Sequence, residues 1–116
     1  MDKESKVITH AELLKTVVQL LEDKKAEDMV VLHVRDLTTV ADDMIVVTGT
    51  SNPHLRAMMN LVVSELKKLG VVILGVEGDQ NGEWILVDLG TILVHLMLPQ
   101  VRKYYELEKL WSVHPE

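Results

Sequence analysis

The segment that most narrows what this chain can fold into runs from Trp84 to Leu98, where two apolar stretches flank Leu89-Gly90. Ile85, Val87, Ile92, Val94, Leu96 and Leu98 recur at the period-two spacing of strands, so they line one face of a hairpin. Take Leu89 and Gly90 as the turn residues, with glycine supplying the positive φ of a tight turn. Asp88 then opposes Thr91, Leu86 opposes Leu93, and Trp84 opposes His95, all on the second face. The first face is purely aliphatic and must be core. A one-residue slip would exchange the two faces.

The second face is odd for a solvent side. Trp84, Leu86, Asp88, Thr91, Leu93 and His95 have the apolar centre and polar edge of a contact surface. The aromatics Trp84, Tyr104, Tyr105 and Trp111 all lie in the last third of the chain, and there is no Phe. Trp84 is the ring expected at a contact, and Tyr104, Tyr105 and Trp111 are read as a packing brace. The plainer alternative is that a helix of the same chain covers this face and Asp88 only finishes a turn.

Upstream, Thr9-His-Ala-Glu12 is a capping box, followed by Leu13, Leu14, Val17, Val18 and Leu21 at helical spacing. Met29 to Val34 and Met44 to Thr48 predict two strands. Gly49-Thr-Ser-Asn-Pro53 predicts a turn into a helix, with Ser51 or Asn52 as cap and Pro53 at the first helical position. Leu55, Met58, Met59, Val62, Val63, Leu66 and Leu69 form that helix's buried stripe, and Gly70 ends it. Val71 to Val76 reads as a third strand and Gly75 to Gly82 as a mobile, acidic loop. After the hairpin, a helix starts near Pro99, with Arg102 and Glu106 at i,i+4 spacing. The order αββαβββα gives an α/β fold, a mixed sheet of about five strands flanked by helices. One domain is expected over residues 1–116, with its core in residues 9–111.

The 47 % apolar content includes no uninterrupted run of the roughly eighteen apolar residues that a membrane helix needs. The charged start, Met1 to Lys6, does not read as a signal peptide. The absence of cysteine removes disulfides, thiolate metal sites and thiol nucleophiles, and suits the cytoplasm. Net charge is −6, from 18 acids against 12 Lys and Arg, without the basic footprint of a nucleic-acid binder. No Lys or Arg falls between Lys68 and Arg102, whereas Glu77, Asp79, Glu83 and Asp88 do. These are either ordinary solvated acids or a patch that steers a basic partner.

Catalytic chemistry is sparse. His10, His33, His54, His95 and His114 include no pair at i,i+3 or i,i+4. Glu77-Gly-Asp79 supplies too few oxygens for a hard cation, and Asp42-Asp43 reads as turn-shaping. Gly49-Thr-Ser51 is the one place for a phosphate on free amides. It lacks the P-loop lysine and the dinucleotide glycine spacing, and a helix cap accounts for Ser51 more simply. No catalytic residue, metal site or cofactor is predicted.

Gly75-Val-Glu-Gly78, Trp84-Ile-Leu-Val-Asp88-Leu-Gly90, Val94-His95 and Tyr105-Glu-Leu-Glu-Lys-Leu-Trp111 together resemble the signature of the ribosomal silencing factor (Iojap) family. Asp43-Met-Ile-Val-Val-Thr48, Gly49-Thr-Ser51 and His54 resemble its first strand-turn-helix segment, so the likeness spans Thr9 to Trp111. It implies a nucleotidyltransferase-like fold without transferase activity. Active transferases carry paired metal-holding acids after the Gly-Ser turn, where this chain has Asn60-Leu-Val-Val-Ser64. Metal-assisted phosphoryl transfer is hard to sustain without such ligands.

The resemblance also implies the partner, the fourteenth protein of the large ribosomal subunit. A factor bound there keeps the small subunit from joining and lowers translation when nutrients are scarce. Trp84, Leu86, Asp88, Thr91, Leu93 and His95 become the expected contact, with Glu77 and Asp79 as acidic rim. A homodimer is expected from relatives. Two other readings stay open: a nucleotide-dependent transferase using Gly49 to Ser51, and a structural dimer whose hairpin pairs with itself.

Overall fold

A computed structural model of the chain describes residues 8–106 and residue 109. Helix α1 (His10–Asp23) starts where Thr9 Oγ1 accepts from the Glu12 amide at 3.1 Å and Glu12 Oε1 accepts from the Thr9 amide at 3.0 Å, the capping box read from the sequence. Strands β1 (Glu27–His33) and β2 (Asp43–Thr48) follow, then α2 (Asn52–Lys68) and β3 (Gly75–Glu77). The hairpin is β4 (Trp84–Asp88) and β5 (Ile92–Met97), and α3 (Pro99–Tyr105) comes last. Ser51 caps α2, its Oγ accepting from the His54 amide at 3.2 Å, and Pro53 sits second in the helix, after Asn52.

The strands form one mixed sheet in the order β1-β2-β5-β4-β3. Only β2 and β5 run parallel, and the other neighbours are antiparallel. Both long helices pack on the aliphatic face. Leu13, Val17 and Leu21 of α1 and Leu55, Met58, Val62 and Leu66 of α2 bury Ile45, Val47, Ile85, Val87, Ile92, Val94 and Leu96.

The hairpin register differs from the sequence expectation by two residues. Asp88 pairs with Leu93, Leu86 with His95 and Trp84 with Met97, so residues 89–92 make the connection. Leu89 is the reason. A two-residue turn would leave it at an exposed tip, whereas here its side chain is buried and its amide donates to the Ile92 carbonyl at 2.9 Å. Gly90 takes φ +90 and donates to Asp88 Oδ1 at 2.9 Å. Because the shift is even, every side chain keeps its face.

Other expectations also change. The third strand is confined to Gly75–Glu77, since β4 ends at Asp88, the partner of Gly75, and Val71 instead donates to the Leu66 carbonyl closing α2. The first strand begins at Glu27 through a bulge at Asp28 (φ 50), and Val34 lies beyond it, fully buried. Glu106 ends α3 as its C-cap in the left-handed region, φ 49, with its amide donating to the Arg102 carbonyl at 2.8 Å, the i,i+4 spacing expected from the sequence. Trp111 lies outside the described residues.

Leu96 and Leu86 sit on adjacent strands but on opposite faces. Leu96→Ala should cost about 2–5 kcal/mol by opening a cavity between sheet and helices. Leu86→Ala, half-exposed, should cost about 1 kcal/mol or less. Urea denaturation of both variants checks the assignment of faces.

Candidate partner-binding face

The second sheet face is covered at its two ends. At one end α3 lays Val101 over Val46, Met97 and Trp84, while buried Arg102 donates to Thr48 Oγ1 at 2.9 Å. At the other end the β1–β2 connection folds Val34 and Ala41 onto Met44 and Leu93. Between them lies a strip where Trp84 and Leu86 are half-buried and Glu77 is exposed. Glu77, Leu86 and His95 are cross-strand neighbours on β3, β4 and β5. With Gly78 and Trp84 they line a depression of about 310 Å³.

Trp84 is held on two flanks. Its Nε1 donates to His95 Nδ1 at 3.1 Å, and the two ring centres are 5.9 Å apart. Tyr105 packs on its other flank at 4.8 Å, and Tyr104 meets Tyr105 edge-on at 4.9 Å. Tyr105 therefore braces Trp84, while Tyr104 is 79 % exposed. Gly78 closes the lower wall: with φ +83, a Cβ there would lie 2.0 Å from the Trp84 carbonyl oxygen, so no other residue fits.

His95 is the one polar side chain buried inside this strip. The indole fixes its tautomer, since Nδ1 accepts and the proton must sit on Nε2, which is buried and has no hydrogen-bond partner. An orphan buried N–H costs about 1–3 kcal/mol. Burial pushes the imidazole pKa down to about 4. The ring is thus a neutral, rigid acceptor for Trp84.

The remaining residues expected at the site lie elsewhere. Leu93 is buried beneath Leu86, between Val34 and Met44. Asp88 spends one oxygen finishing its own turn. Thr91 turns to the sheet end, where its carbonyl accepts from the Asp42 and Asp43 amides and its Oγ1 lies 3.1 Å from His10 Nδ1. Asp79 belongs to a loop tied back to α2 rather than to the depression. That loop is anchored by side-chain hydrogen bonds, not the free acidic loop the sequence suggested.

Sequence reasoning missed a polar cluster next to Thr91. Buried Asp43 accepts from His10 Nε2 at 2.5 Å and from His33 Nδ1 on its other oxygen. Burial alone would raise this carboxyl, but the hydrogen bonds and charges of His10 and His33 hold it below the usual value. The histidines come from separate elements, so sequence spacing gave no signal. Among the described residues, no group of three or more His, Asp or Glu is placed to hold a metal ion. None of the described helices is long and apolar enough to cross a membrane.

The Gly49 to Ser51 turn is occupied from within. The Thr50 amide donates to His54 Nδ1 at 3.0 Å, and His54 Nε2 donates to the Lys24 carbonyl at 2.7 Å. Ser51 Oγ is engaged as the helix cap. A phosphate seeking these groups would have to displace the imidazole.

The depressed pKa of His95 has a signed consequence. Between its unfolded value of 6.5 and about 4, the unfolded chain binds a proton there that the folded chain refuses. Stability from this residue is complete above pH 6.5 and declines on acidification to about pH 4, by ~3 kcal/mol in all. In His95→Asn, whose Oδ1 can take over as the indole's acceptor, this part of the acid loss should vanish. Denaturation midpoints of both proteins across that window measure it.

Known proteins share this architecture. Residues 7–116 match the sequence model of the family described as "Ribosomal silencing factor during starvation". A ribosomal silencing factor of Chromobacterium violaceum is 47 % identical over 101 residues, covering 87 % of this chain and 83 % of that protein. A crystal structure of a protein from the same organism superposes with a TM-score of 0.86 at 44 % identity, covering 96 % of this chain and 92 % of the other. The mouse protein named mitochondrial assembly of ribosomal large subunit protein 1 is 37 % identical over 100 residues, covering 84 % of this chain and 44 % of its own length. The chain belongs to the ribosomal silencing factor family.

Proposed function

We propose that the protein represses translation in the cytoplasm by binding the large ribosomal subunit through its fourteenth protein and sterically blocking the small subunit, above all when nutrients are limiting. The observation that carries this reading is Trp84, a half-buried ring fixed by His95 and Tyr105 at the edge of a sheet strip that the described helices cover only at its end. Rigid, partly desolvated aromatics of this kind are the usual anchors of protein interfaces. Leu86 extends its apolar surround with Leu93 supporting it from beneath, His95 holds its orientation, and Asp88 and Thr91 lie beyond the strip at the hairpin tip. Glu77 at the depression and Asp79 on the loop that follows it supply an acidic rim suited to a basic ribosomal protein.

Exclusion of a subunit needs affinity and volume, not bond-making, so this is a binding role rather than an enzymatic one. The family's silencing name and the mouse relative's large-subunit name support it. A homodimer formed over the same strip would compete with ribosome binding.

Trp84→Ala should weaken binding to isolated large subunits by about 2 kcal/mol or more. Cosedimentation measures this, with circular dichroism to verify the fold, and undiminished binding would remove Trp84 from the interface. Titration with nucleoside triphosphate and magnesium should give no binding heat. A saturable signal lost in a Ser51→Ala variant would revive the transferase reading.

A further inference from the structure

Two side chains in the first turns of α2 account for the backbone of the acidic loop. Arg56 Nε donates to the Asp79 carbonyl at 3.0 Å, and its Nη2 donates to the Gln80 carbonyl at 2.9 Å. Asn52 Nδ2 donates to the Gly82 carbonyl at 2.6 Å and, more weakly, to that of Asn81 at 3.3 Å. Each carbonyl from residue 79 to residue 82 thus meets a donor from α2. The Gly82 amide closes the loop onto the Gly78 carbonyl at 2.9 Å, and a Cβ on Gly82 would lie 2.8 Å from Arg56 Nη2. Leu98 fixes the far end by donating to the Glu83 carbonyl at 3.0 Å.

The chemistry of the donors is selective. Arg56 is the cation next to an acid-rich loop, yet both of these bonds go to main-chain oxygens rather than to a carboxylate. Among the described residues, Glu77, Asp79 and Glu83 have no ion-pair partner. Glu77 and Glu83 are exposed, Asp79 is half-exposed, and Glu77 lines the depression beside Trp84.

We propose that Arg56 and Asn52 are positioning residues for partner capture: they hold loop 78–82, so that Asp79 within it and Glu77 and Glu83 at its two ends stay open to a basic partner approaching the Trp84 face. This rests on the acidic-rimmed contact proposed above. The donors act before contact, because a fixed cluster of like charge steers encounter, whereas a cluster scattered by a loose loop steers poorly. Orientation through the backbone also leaves the carboxylates unneutralised.

The sign of one effect separates positioning from simple charge. Removing the positive Arg56 makes this region more acidic, so a pure charge effect would speed association with a basic partner. Positioning predicts the opposite. For Arg56→Met, the association rate with isolated large subunits at low salt should fall about five-fold, with little change in dissociation rate. The deficit should shrink as salt rises. Arg56→Lys, which keeps the charge but can reach one carbonyl at a time, should fall between wild type and Arg56→Met. Asn52→Ala should repeat the Arg56→Met defect in milder form.

Hydrogen exchange of the free proteins supplies the independent readout. The Gly82 amide should exchange faster in Arg56→Met, with β4 and β5 amides protected as before. Unchanged Gly82 exchange, or an association rate equal to or above wild type, overturns the proposal. Loss of β4 and β5 protection would mean that Arg56 supports the fold at large, and overturns it too. Failure of the wild-type protein to bind large subunits would instead fell the proposed function and this inference with it, while the exchange data would still report whether the clamp exists.

Discussion

Strand β5 is buried along its whole length, and that double burial organises the molecule. Ile92, Val94 and Leu96 face α1 and α2, whereas Leu93, His95 and Met97 face the opposite layer. A strand buried on both faces needs partners on both edges and cover on both sides. β2 and β4 supply the edges, one in parallel and one as the returning arm of the hairpin. The two long helices cover one side. Among the described residues, the short α3 and the β1–β2 connection cover the ends of the other, and the strip left between them is the proposed contact surface.

That arrangement explains why a histidine at the centre of β5 is both costly and useful. His95 buries an N–H without an acceptor, yet its other nitrogen accepts the hydrogen bond of the Trp84 indole N–H. An indole with no acceptor would be free to turn, and an orientable ring gives up conformational entropy on binding. With His95 on one flank and Tyr105 on the other, that ordering is made during folding. The loop 78–82 follows the same logic one layer out, since its backbone is satisfied by α2 before any partner arrives.

The faces of the hairpin were legible in the sequence because period-two alternation survives a register error of two residues. The turn was not, because the rule that favours Gly at a tight tip is silent about Leu89, whose burial lengthens the connection to residues 89–92. The capping box of α1 and the Ser51 cap of α2 were readable, since each lies within a few residues of its partner. The third strand was overextended because Val71 to Val76 is β-branched enough for a strand, but pairing depends on where β4 ends. Within the candidate site, Trp84, Leu86 and His95 were brought together as alternation required, and Glu77, expected in a loop, joins them as the last residue of β3. Thr91 and Asp79 were not, because their environments are set by His10, Arg56 and Asn52, contacts across long sequence separations that no local pattern encodes.

The molecule treats its carboxylates in two opposite ways. Asp43, at the end of the sheet, is buried and saturated by two imidazoles from α1 and β1, so its charge is spent joining those elements. Glu77, Asp79 and Glu83 lie in or beside a loop whose Asp79 and Gln80 carbonyls are bound by Arg56, which leaves the carboxylate charges alone. Neutralising those acids with Arg56 would add little stability, because exposed ion pairs contribute about 0–1 kcal/mol. Leaving them open keeps a field that a basic surface can sense at roughly a Debye length, about 8–10 Å. For a protein proposed to act by occupying a surface, the speed of reaching it matters as much as the grip. The backbone-directed arginine supplies shape without cancelling charge, which a carboxylate-directed one would not.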